Sequence, residues 1–468
     1  MERRRIYPSL RRIHPRATLA ATILGSSLAF IDGSVVNVAL PALAQDLKVN
    51  PAHLSWAINA YLLPLGVLIL LGGALGDHFG RRRLFQIGLS TFALASLACA
   101  AAPSFAWLLA ARGLQGLGAA LLMPNSLAIL GGAFTGDARG RAIGTWAAAG
   151  ALAGAMGPII GGWIVDTVGW RTIFLLNLPL AAGAGYLAWK YVEERRASSG
   201  AAPLDALGAG LATVALGLLT WALTKASESS EAYSSAGSAA VGGILLFAVF
   251  VRHEGRLGNR ALMPLAMFAA PTFVGLTLLT FFLYGSLGGL LVLLPFFLIK
   301  VEGWLAVAAG AALLPVPVLI GLGSRFMGRV ASAYGERLPL SIGSGLVGIG
   351  LALYGRIGTH GINYWLDIFP PTVLIALGMG ACVAPLTTAV MTSVDADHVG
   401  LASGFNSAVA RIAGLIATAL LGFVFARQGS TEVFMAGFRV AALIGAASAA
   451  FAAGSALFLV HPRAASVR

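Results

Sequence analysis

Charge is what this sequence lacks most. Only 10% of its 468 residues are Asp, Glu, Lys or Arg, against roughly 25% in a soluble domain, too little to coat a water-exposed surface. Cysteine is nearly absent: Cys99 and Cys382 stand alone inside apolar segments, which excludes a disulfide framework and fits small core residues. The seven histidines are scattered and show no ligand spacing, so no metal site is expected. No glycine-rich phosphate loop ending in Gly-Lys-Ser/Thr is present, which removes ATP as a direct energy source. Nor does a nucleophile stand beside a base in a recognisable pattern, so the chain is expected to be no enzyme and to need no cofactor.

What is present is apolar and small. Hydrophobic residues make up 58% of the chain, and there are 60 glycines, which suits helices that approach closely in lipid. At about 30 residues per helix and loop, the length allows some twelve to fifteen spans. Hydropathy and loop punctuation place fourteen, over 17–40, 53–76, 84–102, 105–131, 141–164, 170–191, 204–224, 238–252, 271–299, 304–326, 338–356, 365–389, 399–426 and 433–460. The first apolar run is too long for a signal peptide and contains Asp32, so it reads as a retained span. The shortest, 238–252, follows a Ser-rich stretch, KASESSEAYSSAGS, expected to be an exposed, mobile linker.

The net charge of +13 does not point to nucleic acid, because no basic face is interleaved with aromatics. Of the 31 Lys and Arg, 22 fall in the segments on one side of the fourteen-span topology, six on the other, and three within spans. The richer side holds Arg3, Arg4, Arg5, Arg11, Arg12 and Arg16 at the start, loop residues such as Arg195, Arg196, Arg260, Arg325 and Arg337, and Arg463 and Arg468 at the end. The poorer side holds Lys48, Arg171, Lys225, Lys300, Arg356 and Arg427. The asymmetry predicts an even number of spans, with both termini in the cytoplasm. The three intramembrane arginines are Arg112, Arg411 and Arg439.

The chain also resembles itself. GALGDHFGRRR (Gly73 to Arg83) follows the second span and MGRVASAYGER (Met327 to Arg337) the tenth. Such internal repetition is typical of secondary transporters, which hold substrate between their halves. It predicts an all-α integral membrane fold with a six-helix bundle over 1–191, two inserted helices over 192–260, and a second six-helix bundle over 261–468.

The first of these loops resembles the signature loop of the major facilitator superfamily, with Gly73, Asp77, Gly80, Arg81 and Arg82 at the matching positions. Asp77 can accept hydrogen bonds at a nearby helix N-terminus. By resemblance, the loop latches the two halves together on the cytoplasmic side; the alternative is a basic anchor with no gating role. His78 stands where the family usually carries arginine, and Ser332 occupies the Asp77 position of the second copy. RGLQGLGAALLMPN (Arg112 to Asn125) is similar to the family's Arg-x-x-Gln-Gly segment. GALAGAMGPIIGGW resembles the glycine-proline motif of its antiporters, through Gly150, Gly154, Gly157, Pro158, Gly161 and Gly162. IDGSVVNVALP, LSWAINAYLL and WRTIFLLNLP further resemble the fourteen-span drug:proton antiporters (the EmrB/QacA type), although Gly33-Ser34 departs from their usual form.

An arginine inside a bilayer demands a partner. At 1.5 Å per residue, Asp32 lies about 22 Å and Arg112 about 18 Å from the inner end of a core roughly 30 Å thick, so the two match in depth. Burial raises a carboxylate's pKa and a guanidinium lowers it, which makes Asp32 a candidate proton-coupling acid tuned by Arg112. A permanently paired structural bridge is the alternative.

Twelve further residues are candidates for a substrate pocket, because amphipathic compounds need aromatic faces and a few polar groups. The first half offers Asn37, Trp56, Asn59 and Tyr61, then Gln115, Asn125 and Trp146. The second half offers Phe281 and Tyr284, then Phe405, Asn406 and Arg411. Each competes with a plain packing role, and Arg411 with snorkelling to the surface. The resemblance implies a monomeric exporter in the bacterial inner membrane, moving hydrophobic or amphipathic compounds, cationic ones included, against protons. It leaves open a periplasmic adaptor and outer-membrane channel as partners. A dedicated exporter of one metabolite, lipid or siderophore, and a non-transporting sensor or scaffold, are the alternatives.

Overall fold

The computed structural model describes residues 14–50, 53–194, 205–226, 233–258, 261, 263–358, 362–394, 399–425 and 431–461. Among them are fourteen helices long and apolar enough to cross a bilayer. The first six are α1 (Pro15–Asp46), α2 (Trp56–Phe79), α3 (Arg81–Ala100), α4 (Phe105–Ala133), α5 (Arg141–Thr167) and α6 (Thr172–Tyr191). Next come α7 (Ala206–Ala226) and α8 (Tyr233–Leu257). The last six are α9 (Pro271–Lys300), α10 (Ala306–Ala331), α11 (Arg337–Tyr354), α12 (Tyr364–Thr392), α13 (Ala402–Phe425) and α14 (Thr431–Leu459). An even count puts the start of α1 and the end of α14 on one face, here the terminal face; the opposite one is the far face. Arg3, Arg4, Arg5, Arg11, Arg12, Arg195, Arg196, Arg260, Arg427, Arg463 and Arg468 lie outside the described residues, as do the side chains of Arg325 and Ser332.

Local sequence explains several helix ends. Pro15 and Pro271 sit in the first turns of α1 and α9, where their missing N–H costs nothing. Ser104 caps α4 by accepting the Trp107 N–H at 3.3 Å. Gly80, at φ +110°, lets α2 end and α3 begin without an intervening loop. One expectation needs correcting. Residues 233–238 of the Ser-rich stretch are the first turns of α8 and not linker, because Ser and Ala are tolerated there once the hydrophobic run behind them fixes the helix.

The repeat seen in the sequence reappears in the packing. In the first half α4 packs on α2 and α3, and α1 on α5 and α6; in the second, α12 packs on α10 and α11, and α9 on α13 and α14. The halves meet along two equivalent seams, α2 against α13 and α5 against α10. The inserted α7 lies along the first seam, touching both α2 and α13, while α8 packs chiefly on α7. One buried apolar cluster joins the far-face ends of both halves, including Leu40, Leu43 and Leu54 with Leu294, Phe296 and Phe297. A second, around Tyr61, Phe85 and Phe92, belongs almost wholly to the first half.

A buried Asp–Arg centre and its link to the far-face seam

The structure brings Asp32 and Arg112 together. Arg112 Nη1 donates to Asp32 Oδ2, and both side chains are at most 1% exposed. Further residues of α4 and of three more helices complete the setting. From α4 itself, Gln115 Nε2 donates to Asp32 Oδ1 at 3.1 Å, while its Oε1 accepts from Arg112 Nη1 at 2.8 Å. From α6, Asn177 Nδ2 donates to Asp32 Oδ1 at 3.2 Å. From α3, the Ser96 hydroxyl accepts from both Gln115 and Asn177, at 2.8 and 3.2 Å, and the Cys99 thiol donates to Gln115 Oε1 at 3.3 Å. From α2, the Ala57 carbonyl accepts Arg112 Nε at 3.0 Å. The Tyr61 ring lies 4.5 Å from the guanidinium carbon. A charge pair in oil is tolerated only when its remaining donors and acceptors are met; here they are met by residues of α2, α3, α4 and α6.

Asp32 is fixed by α1, and α1 is gripped by α5. A Cβ at Gly150 would lie 2.5 Å from the Phe30 ring, one at Gly157 2.1 Å from Ser34 Oγ, and one at Gly161 2.2 Å from Val35. The α1 residues touched therefore bracket Asp32. Gly154 is looser, 3.8 Å from the Phe30 carbonyl. The other side of α5 meets the second half. A Cβ at Gly162 would lie 2.5 Å from the backbone of Ala306 and Val307, and one at Gly310 would lie 2.3 Å from the Pro158 carbonyl. Beyond them, Asp166 accepts the backbone N–H groups of Ala306 and Val307 at 3.2 and 2.9 Å, capping α10 from the opposite half. The glycine-proline segment thus joins the acid-bearing helix to the far-face seam.

The signature loop is arranged differently from expectation. Asp77 accepts Arg81 Nε at 2.8 Å, not the amides of α3. Those are met by Glu194, whose two oxygens accept the Arg82 and Arg83 N–H groups at 3.1 and 3.0 Å. The reason is geometric: the abrupt turn at Gly80 aims the start of α3 at the end of α6, and leaves Asp77 one helical turn from Arg81. Arg81 also reaches the Ala128 carbonyl, and Arg82 that of Val192, at 3.3 and 3.1 Å. All these partners lie in the first half. A Cβ at Gly73 would lie 3.5 Å from Pro124.

The pocket candidates separate into groups. Tyr61 and Gln115 belong to the Asp32 centre, Tyr61 also donating to the Ala29 carbonyl at 3.2 Å. Asn125 clasps the Gly72 and Leu121 carbonyls, and Trp146 Nε1 donates to Ser26 and Ser126; both are helix fasteners. Phe405 meets Phe268 edge-to-face and lies tilted against Phe273, and Asn406 accepts the Thr280 hydroxyl at 2.5 Å. Asn37 Oδ1 and both polar atoms of Asn59 are buried without a partner among the described residues. Trp56, Phe281, Tyr284 and Arg411 are half-buried. The third intramembrane arginine, Arg439, is anchored by two bonds to the Ile357 carbonyl, at 3.0 and 2.9 Å.

Sequence reasoning missed Ser96, Asp166, Asn177 and Glu194. Asn177 was visible as a polar residue inside WRTIFLLNLP; the others carry no local signal. It also missed a cluster at the inserted pair. His253 Nε2 lies 2.9 Å from Asp205 Oδ1, Asp205 Oδ1 accepts the Gly208 N–H at 2.7 Å, and Glu254 accepts the Met263 N–H. The cluster ties the α7–α8 hairpin to the segment that enters α9. Burial opposes ionisation of Asp205, but the Glu254 carboxyl, the Gly208 N–H and His253 outweigh it and hold Asp205 below the usual carboxylate range.

Known proteins share both fold and sequence with this chain. Among solved structures, a proton-dependent oligopeptide transporter superimposes with a TM-score of 0.67 at 15% identity, over 96% of this chain and 99% of that one. A bacterial homologue of the human lysosomal transporter Spinster also gives 0.67, at 16% identity, over 94% and 96%. In sequence, the chain is 35% identical to the multidrug resistance protein Stp of Mycobacterium tuberculosis, over 87% of this chain and 75% of the relative. It is 32% identical to the tetracenomycin C resistance and export protein of Streptomyces glaucescens, over 89% and 77%. It is 31% identical to the methylenomycin A resistance protein of Bacillus subtilis, over 87% of each. A profile of the family described as Major Facilitator Superfamily matches residues 22–418, and with the fourteen membrane helices and their repeated packing this makes the chain a member of the major facilitator superfamily.

Proposed function

We propose that this protein exports hydrophobic or amphipathic compounds, antibiotics among them, by exchange for protons across the bacterial inner membrane. Both termini are then cytoplasmic, so the terminal face is the inner one. The relatives named for drug resistance and export support the cargo class. The observation that carries the coupling is the sealed Asp32–Arg112 pair on the helix that α5 grips.

Proton arrival at Asp32 removes the charge that holds Arg112, leaving a guanidinium without its counterion in a low-dielectric interior, a strongly unfavourable arrangement. Relief requires α1 and α4 to move apart or Arg112 to find another acceptor. Since α5 follows α1 and carries Pro158, Gly162 and Asp166 against α10, movement at the acid is delivered to the far-face seam. Opening there and closing at the terminal face is alternating access. In the closed-inside state we assign the loop of Gly73, Asp77, Gly80, Arg81 and Arg82 to latching the halves, with Asp77 released from Arg81. The protein is proposed to act as a monomer and without a bound cofactor.

The test is drug-dependent proton release in everted vesicles, with wild type and Asp32→Asn compared at equal amounts of folded protein. The reading requires release in wild type and its loss in the variant; undiminished exchange by Asp32→Asn would contradict it. A compound panel in a host lacking its own exporters distinguishes broad export from a single dedicated cargo. A sensor or scaffold would show no cargo-dependent proton movement at all.

A further inference from the structure

Arg411 is the one half-buried intramembrane arginine with no hydrogen-bond or ion-pair partner among the described residues. Arg112 is sealed with Asp32, and Arg439 is spent on a backbone carbonyl. Arg411 lies about ten residues into α13, some 15 Å along the helix, farther than its side chain reaches, so snorkelling past the lipid does not satisfy it. Its Cβ packs 3.2 Å from the position a Cβ would take on Gly66 of α2, which places it on the seam between the halves. Tyr284 is itself half-buried and its hydroxyl has no partner among the described residues. α9 and α13 pack closely, a Cβ at Gly288 lying 3.1 Å from Gly414, which sets Tyr284 beside the stretch of α13 that carries Arg411, and Phe281 stands one turn before Tyr284 on α9. Tyr61 packs against the sealed pair, whose charges cancel. The uncompensated charge between the halves is therefore positive, and the free Tyr284 hydroxyl beside it can donate a hydrogen bond.

We propose that Arg411, with Tyr284, selects cargo by charge. The compounds favoured are those carrying an anionic or strongly accepting oxygen, such as a carboxylate or phenolate, on a flat apolar body, and lipophilic cations are disfavoured. A guanidinium supplies charge-assisted, fork-shaped hydrogen bonds to such oxygens, and an aromatic floor takes the body of the molecule. This reverses the sequence-based leaning toward cationic cargo. It rests on the exporter reading above and adds the cargo class to it.

The experiment is fluorescence anisotropy of purified protein in nanodiscs with fluorescein, an anion, and rhodamine 123, a cation on the same ring system, and Nile red as a neutral probe. Wild type should bind fluorescein about tenfold more tightly than rhodamine 123. Arg411→Gln should lose about tenfold for fluorescein and leave Nile red unchanged. Arg411→Lys should keep part of the preference, and Arg411→Glu should reverse it. The proposal is overturned if wild type prefers rhodamine 123, or if Arg411→Gln shifts all three probes equally. Binding needs no proton gradient, so anion preference without drug-dependent proton release would sink the exporter reading alone, whereas proton-coupled export with cation preference would sink only this one.

Discussion

At the far face the two halves meet backbone to backbone, Gly162 against Ala306 and Pro158 against Gly310, under an Asp166 that caps a helix of the other half. At the terminal face the hydrogen bonds of Asp77, Arg81, Arg82 and Glu194 stay within the first half. The apolar cores follow the same division, shared at the far end and almost confined to one half at the other. The difference teaches that this is a conformation closed at the far face, and that the two signature segments have unequal duties in it. The glycine-proline segment is engaged across the seam, whereas the signature loop is occupied at home. A residue's conformational role is legible only in the state that uses it.

Breaking the centre that both ends depend on should have the largest effect. Arg112→Ala leaves the Asp32 carboxylate buried with only neutral donors, at a cost of about 3–5 kcal/mol; thermal unfolding in detergent should show a steep loss of stability. Arg112→Ala combined with Asp32→Asn should recover much of it. Next comes the far seam. Gly162→Val would press on the backbone of Ala306 and Val307, which cannot retreat as a flexible side chain would, at about 1–3 kcal/mol. Crosslinking between the far-face ends of α5 and α10 should fall accordingly, without comparable loss in global stability.

At the terminal face the expected effects are smaller. Glu194→Gln removes a charged cap from the start of α3, worth about 1 kcal/mol, and should lower thermal stability while leaving far-face crosslinking unchanged. If it altered that crosslinking, the separation between the two ends would be wrong. The smallest effect is that of Asp205→Asn. Because Asp205 is held below the usual carboxylate value, its contribution is full above about pH 4 and is lost as pH falls through the lowered value. The stability gap between wild type and variant should therefore persist at neutral pH and shrink only in acid.

Much of this was legible in the sequence because lipid imposes strong rules. Span number and order follow from hydropathy, and an arginine inside a span demands an acid at its depth, which led from Arg112 to Asp32. The glycines of α5 were legible as a close-packing face, but not which helix each would meet: Gly157 and Gly162 look alike in sequence and touch opposite halves of the molecule. Ser96 was hidden, and Asn177, though visible as a polar residue, gave no sign of its partner, because polar residues inside spans usually bond to their own backbone. Glu194 and Asp166 were hidden because each caps a helix far away in the chain, Asp166 reaching 140 residues to Ala306. The Asp205–His253–Glu254 cluster was invisible for the same reason, Asp205 standing just before α7 and His253 48 residues on, in α8.

The central claim is that protonation at Asp32 is transmitted through α1 and α5 to the far-face seam. Val168 and Leu305 flank that seam and are both 65% exposed, so Val168→Cys and Leu305→Cys accept spin labels while the buried Cys99 and Cys382 stay unmodified. Electron–electron double resonance should find a longer label distance populated in one pH range and a shorter one in another, with the pH response abolished by Asp32→Asn. A distance that ignores pH, or that responds equally in the Asp32→Asn protein, would contradict the account.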